Sequence, residues 1–591
     1  MNKISFKPKV NIDEKLKKMD NGKRALIVIS IIMFFTIIVS LPIFQKNYNL
    51  YADDGVFHFS RIVGTENILR SKEFLPLIIP NYCNNFGYGT NIFYSPLTTV
   101  VPLIFRLLTF NLYNTIRIML IIGSFLSGLS MYFFIKKVTD SDLAGIIGAI
   151  LYIISPYRLN DAYYRMAIAE YYSFIFLPMV FNGMYTIVNK KEKSNLLYVG
   201  ATLLILSHSV MAFFTAILCF LFLLSNIRSL KDKSVIKNLG ISLLLIILLS
   251  MFYLGPVIEH KIKGDYLAFD SDYMTISEKL TKFKLDFEML LKPATIGAYN
   301  FAIGLTLLVG LSLTFLCIKK VMDKDYKTLY FFSLIYGFIL LFISSKLFPY
   351  ENMPKIFLMI QFTFRFLELI NLLFIVVASI NISIIFERFH YFVIIVLFIF
   401  FITMDLLPLK FLKYEDKSIN EDAFNTPFKL SEITELPYYH PNLAQCEYLP
   451  KNAFNNTKYI EIRPDEPLVI ESNENLTINN YKKQDTNLYF EAQNAKKGDS
   501  IELPYIYYLG YRVKINNKEV ENFESEKGFV AFKFDEDYEK AEIKVRYLGT
   551  NFMLGSYLIS LGTIIYLGVN HYTKKKETNN REQKVKEKIK I

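Results

Sequence analysis

Ala25-Leu-Ile-Val-Ile-Ser-Ile-Ile-Met-Phe-Phe-Thr-Ile-Ile-Val-Ser-Leu-Pro-Ile-Phe44 is an unbroken apolar run near the start of the chain. It holds no charge, and as a helix it is long enough to cross a hydrocarbon core of ~30 Å. Eight Lys/Arg and three acidic residues precede it in 1–24. The run is too long for a signal-peptide core and lacks a small-x-small cleavage site, so it reads as a retained span. Further apolar runs lie near 115–135, 142–156, 171–188, 195–207, 208–226, 238–256, 298–318, 328–347, 357–386, 391–408 and 552–570. Together they predict about 12 crossings. Lys136-Lys137, Lys190-Lys191, Arg228–Lys237, Lys319–Lys327 and Glu387–His390 punctuate them as cytoplasmic turns.

Residues 571–591 again carry eight basic and three acidic side chains. An even number of crossings puts both basic tails in the cytoplasm. The whole chain agrees with a polytopic α-helical membrane protein: 591 residues, 52% hydrophobic, mean hydropathy +0.29. Its net charge of +12 sits mostly in the tails. A solvated tail near anionic lipid accounts for that charge, so no nucleic-acid partner is expected. Residues 95–112 are apolar but short, with Pro96, Pro102 and Arg106 inside. Counted as a crossing they would throw Lys136-Lys137 outside, so a re-entrant segment is expected, its ends covered by protein or a watery cavity.

The expected organisation is a basic tail (1–24), a transmembrane domain (25–408) with external loops 45–95, 157–170 and 257–297, and a last domain at 409–550. A final helix (551–570) and a second basic tail (571–591) follow. Residues 409–550 carry 19 Lys/Arg against 25 Asp/Glu, unlike the tails. Short alternating runs at 468–471, 476–479, 488–491, 511–515, 529–534 and 542–547 predict an extracytoplasmic all-β domain, a small sandwich. Asn516-Asn517 and Lys527-Gly528 are its turn signals. An amphipathic stretch is expected near 277–292. Cys219 and Cys317 fall in spans as packing residues. Cys83 and Cys446 both fall outside, where a disulfide could form, although no spacing rule supports one.

Just past the first span the chain reads Asp53, then Asp54-Gly-Val-Phe-His58-Phe-Ser-Arg61. If 55–70 is helical, Asp54, His58 and Arg61 share one face. Arg158, Asp161, Arg165 and Glu170 concentrate charge in the second loop, and Glu259 and His260 open the third. Arg365 lies on a long apolar helix and needs a partner from another element, or an anionic ligand. Charges at the edge of a bundle are expensive and are paired or functional. A carboxylate can accept the proton of an incoming hydroxyl. Arginines can bind phosphate bidentately and stabilise charge as a donor bond breaks. A carboxylate pair such as Asp54 and Glu170 could also hold Mg²⁺ or Mn²⁺. Each has a plainer reading: Asp53 or Asp54 as a helix cap, Arg165–Glu170 as a structural pair, Glu259 as an interfacial residue, His208 as a satisfied histidine.

Asp54-x-x-Phe57-His58-x-x-Arg61, followed by Phe86-Gly-Tyr-Gly89 and Phe93-Tyr94-x-Pro96-Leu97, resembles the start of polytopic GT-C glycosyltransferases. It is most similar to bacterial membrane proteins of the YfhO kind and to the group labelled 6-pyruvoyl-tetrahydropterin synthase-related. Arg165-Met-Ala-Ile-Ala-Glu170 before Leu177-Pro178, then Gly255-Pro256-Val-Ile-Glu259 and Ile360-Gln-Phe-Thr-Phe-Arg365-Phe-Leu367, continue the likeness. The last departs from the usual Gln-Phe-Pro-Trp-Arg at Thr363 and Phe364. Glu447-Tyr-Leu-Pro450 and Leu503-Pro-Tyr-Ile-Tyr-Tyr-Leu-Gly-Tyr511 fit a membrane-proximal β-domain. The resemblance spans nearly the whole chain in order.

It implies a GT-C-like fold, a catalytic Asp in the first external loop and a polyprenyl-phosphate sugar donor. The acceptor would be a cell-envelope polymer such as teichoic acid, or a glycolipid, reached in a bacterial cell membrane. Asp54, with Glu170 and Asp53, is the expected catalytic set, acting as base or metal ligand. His58, Arg61, Arg165, Glu259 and Arg365 are the expected substrate-binding set. Two rival classes are a transporter or flippase of lipid-linked glycans and a non-catalytic envelope-assembly protein. The first would need mid-membrane polar residues and an internal repeat.

Overall fold

The computed structural model describes residues 12–44, 54–71, 75–109, 111–270, 284–286, 288, 301–354, 360–388, 391–411, 446–472 and 475–590. Asp53 and nearly all of 277–292 lie outside them. Among the described residues, eight helices are long and apolar enough to cross a membrane. Two further pairs, Asp142–Ile153 with Pro156–Tyr163 and Leu305–Ser312 with Thr314–Met322, pass the same test together but bend by 41° and 54°. The chain is a polytopic helical membrane protein with a C-terminal β-domain.

Local chemistry starts these helices where the sequence supplies caps. Asp20 accepts from Gly22 N (2.9 Å) and Lys23 N (3.3 Å) to open Asn21–Ser40. Asn111, Ser141 and Asp232 do the same for the helices that follow them.

Residues 195–226 form two short helices, Leu196–Ser207 and Ser209–Ser225. Ser207 Oγ donates to Ala169 O (2.9 Å) at one end of the helix Ile168–Val188. At its other end Asn189 Nδ2 donates to Asn226 Oδ1 (3.1 Å). The chain therefore runs up and back, turning at His208. Leu97–Thr109 is a 13-residue helix, about 20 Å long and shorter than a full crossing.

Among the described residues nine strands form two antiparallel sheets. β1 (Leu468–Glu471), β4 (Ser500–Ile506), β8 (Phe529–Lys533) and β7 (Asn522–Glu524) make one, in the order β1-β4-β8-β7. β2 (Thr477–Gln484), β3 (Asn487–Ala495), β9 (Tyr538–Tyr547), β5 (Tyr511–Ile515) and β6 (Lys518–Val520) make the other, in the order β2-β3-β9-β5-β6. Asn516 and Asn517 both adopt positive φ (48° and 70°) and close the β5–β6 hairpin, as the turn signal requires. β4 alternates poorly because it is buried along its whole length, which hides it from a period-two search.

The β-domain is docked as well as tethered. One apolar cluster runs from Phe57, Ile79, Tyr88 and Phe93 into the strands. Phe93 stacks on Tyr448 (5.6 Å between ring centroids) and Tyr266 stacks on Tyr508 (5.8 Å). A Cβ at Gly89 would meet Tyr508 Cε1 at 2.5 Å, so only glycine allows this approach. Cys83 and Cys446 are buried in the same cluster, and both are free thiols.

Candidate functional site

The helix Gly55–Arg70 forms as its sequence spacing predicts. Asp54 holds its N-cap position but makes no side-chain cap hydrogen bond. Its backbone N–H donates instead to Arg165 O (2.9 Å). Its carboxylate stands 3.5 Å from Arg165 Nη2 and keeps 45% of its surface exposed. Burial of the surrounding recess raises the Asp54 carboxyl above its ordinary value, and the charges of Arg165 and Arg365 pull against that rise.

Arg165 is the hub. Its Nη1 meets Asp161 Oδ1 at 2.7 Å, Glu170 Oε2 at 3.0 Å and Tyr157 OH at 3.4 Å. Its guanidinium also lies over the Phe364 ring (4.7 Å). Tyr157 OH donates to Glu170 Oε1. Glu170 Oε2 is in turn 3.9 Å from Arg365 Nε, and Arg365 Nη1 donates to Gln361 Oε1. Glu368 accepts from Ser173 Oγ and is fully buried. Asp161 Oδ2 and Glu368 Oε2 have no hydrogen-bond partner. Met166 (φ 52°) and Gln361 (φ 59°) are held in left-handed backbone beside the two arginines. Such strain persists only where the surroundings impose it and is commonest at functional sites.

Arg61 makes a second focus. It is 1% exposed. Its guanidinium sits 4.3 Å over the Tyr94 ring and donates to Asn91 Oδ1 and Ser95 O, both at 3.4 Å. Among the described residues its Nη1 has no hydrogen-bond partner. His58 packs edge-on to Tyr94 (5.6 Å) with Nδ1 unpartnered. Burial and the nearby Arg61 charge push His58 down to about 3, so it is neutral at physiological pH.

Thus Asp54, Arg165, Glu170 and Arg365 converge, and His58 and Arg61 lie along the same helix face. Glu259 lies apart: it pairs with Lys263 (2.7 Å) and accepts from Thr550, which ties its helix to the start of the last one. His208 Nδ1 accepts from Met211 N (3.0 Å). Tyr94, which the family motif names, and Tyr157 and Glu368 complete the site. Tyr157, Asp161 and Arg165 are four residues apart in turn, a helical spacing that was the available signal for Tyr157. Asp54, Asp161 and Glu170 all face one guanidinium, which takes the place a divalent ion would need. Among the described residues no three Asp, Glu, His or Cys side chains are grouped to hold a metal.

Residues 92–411 match the model of the "6-pyruvoyl-tetrahydropterin synthase related domain; membrane protein" family. The chain belongs to this family. The matched region takes in Tyr94, Arg165, Glu170 and Arg365, whereas Asp54, His58, Arg61 and the β-domain lie outside it. An uncharacterized protein of Lactococcus lactis subsp. cremoris (strain MG1363) is 29% identical over 253 residues, 41% of each chain. The chain spans about two fifths of the length of that curated relative. Among solved structures it is similar to ArnT from Cupriavidus metallidurans bound to undecaprenyl phosphate (TM-score 0.41, 11% identity, covering 61% of this chain and 60% of that one). It is also similar to the Archaeoglobus fulgidus oligosaccharyltransferase in the apo form (TM-score 0.39, 12% identity, 74% and 58%).

Proposed function

We propose that this protein is a GT-C type membrane glycosyltransferase, moving a sugar from a polyprenyl-phosphate donor to a cell-envelope acceptor. The acceptor hydroxyl oxygen attacks the anomeric carbon from the face opposite the phosphate. The bond from that carbon to the phosphate oxygen breaks, which inverts the centre. Asp54 takes the hydroxyl proton as general base. The polyprenyl phosphate leaves with its charge met by Arg61, and by Arg365 across the site. Arg165 is a positioning residue: Asp161 and Glu170 hold it, and it aims Asp54. The basic tails, read by the positive-inside rule, support an extracytoplasmic site and β-domain. The β-domain, seated against the first loop, helps frame the acceptor.

The observation that carries this reading is the pairing on one helix. A half-exposed carboxylate opens it, and a fully buried guanidinium with one nitrogen unpartnered follows two turns later. A buried cation without a carboxylate beside it is costly and calls for an anion. The test is purified protein in liposomes with radiolabelled polyprenyl-phosphate sugar and envelope extract as acceptor. Transfer that depends on Asp54 supports the assignment. Full transfer by an Asp54→Asn variant would sink it.

A further inference from the structure

The outer face of the five-stranded sheet is divided by charge. On β9 the outward residues run Lys540, Glu542, Lys544, Arg546, and on β5 they are Arg512 and Lys514. The register sets Arg512 opposite Arg546 and Lys514 opposite Lys544. Like charges directly across a sheet repel, so two such rows side by side concentrate positive potential. Lys482 on β2 lies opposite Tyr489, which is opposite Lys544. Lys482, Arg512, Lys514, Lys544 and Arg546, with Lys483, line a concavity of about 590 Å³ that no carboxylate among the described residues lines. Two acids at its margin pair with lining cations, Glu519 at 3.7 Å from Arg512 and Glu542 at 3.7 Å from Lys544. Lys483 turns inward to pair with Asp465 and donate to Asn85 O (2.6 Å). All this occurs in a region that is net acidic overall.

The concavity also has a fixed height. Arg512 donates to Gly549 O (3.3 Å) and Asn551 Oδ1 (2.9 Å), and Asn551 is the first residue of the last membrane span. The Arg512/Arg546 row therefore sits at the mouth of that span. At ~3.3 Å per residue, the Lys514/Lys544 row lies about 7 Å further out. Both rows fall within a Debye length of about 8–10 Å from a bilayer surface.

We propose that this concavity binds the phosphate headgroups of anionic lipids and clamps the β-domain to the membrane surface. Tight rows of Lys and Arg at a bilayer surface have the chemistry for such headgroups. The inference rests on the span and the sheet register, and not on the proposed transferase reaction.

The test uses the full chain in a neutral detergent, titrated with short-chain phosphatidylglycerol or phosphatidylcholine and read by native mass spectrometry. The wild type should bind phosphatidylglycerol about ten-fold more tightly than phosphatidylcholine. That preference should fall to within about two-fold in an R512Q/K514Q/K544Q/R546Q variant. A K482Q/K514Q/K544Q variant, which leaves the Arg512 bonds intact, should lose part of it at unchanged Tm. Equal affinity for the two lipids would overturn the proposal, as would a preference the second variant retains in full. Displacement of phosphatidylglycerol by a more tightly held soluble polyphosphate would assign the face to a polymer instead and also overturn it.

Discussion

The helix Ile168–Val188 joins two groups of charges that follow different rules. Beyond its Val188 end, Lys137 pairs with Glu192 (2.7 Å) and Lys191 with Asp232 (3.3 Å). These side chains are 32–56% exposed and each has its own partner. At its Glu170 end, Arg165 serves Asp54, Asp161 and Glu170 at once and is 6% exposed. Exposed pairs are screened and add little to stability. Desolvated ones are costly to assemble and more costly to break. The same residue types are thus solvated pairs at one end and a buried, shared network at the other.

The largest effect should come from breaking the chemical end. Asp54→Asn should lower transfer about 10²–10⁴-fold, the span for a lost general base, while the circular dichroism spectrum and Tm hold. Arg61→Gln should raise the donor KM more than ten-fold and lower kcat as well, measured by initial rates over donor concentration. Lys at this position should restore little, because a point charge cannot stack on Tyr94 as a guanidinium does. Arg165→Gln should cost about 3–5 kcal/mol, since it strands three carboxylates. A drop in Tm in detergent, together with lost activity, is the readout.

The pH profile sharpens the contrast. The raised Asp54 group must lose its proton to act as a base, so activity should rise with pH through a value above the ordinary ~3.9 for Asp. His58, near 3, should contribute nothing to that limb, and His58→Gln should leave its midpoint in place. The smallest effect belongs to the solvated end: Lys137→Gln should leave both Tm and transfer unchanged.

Much of this was legible from residue order. The face shared by Asp54, His58 and Arg61 follows from the helical period, and the strands at 468–471 and 511–515 follow from alternation. Arg365 needed a partner from elsewhere, and Glu170 with Gln361 supply it. Tyr94 was legible only as part of the Phe93-Tyr94-x-Pro96 motif, since an aromatic in an apolar stretch otherwise reads as packing. Glu368, three residues after Arg365, gives no sign in the sequence that it meets Ser173.

Residue order alone was enough for the apolar helices, the register of Gly55–Arg70 and the β-domain, because hydrophobic period and length act locally along the chain. About 12 crossings were expected, and eight helices among the described residues are long enough to span, with two further pairs bent. Only the tertiary structure decided that Asp54 meets Arg165, that Arg61 is left with a nitrogen unpartnered and that cations on β5 and β9 stand in facing rows. Those outcomes depend on which segments pack together and on what burial removes from water. Neither is written in the spacing of any one segment.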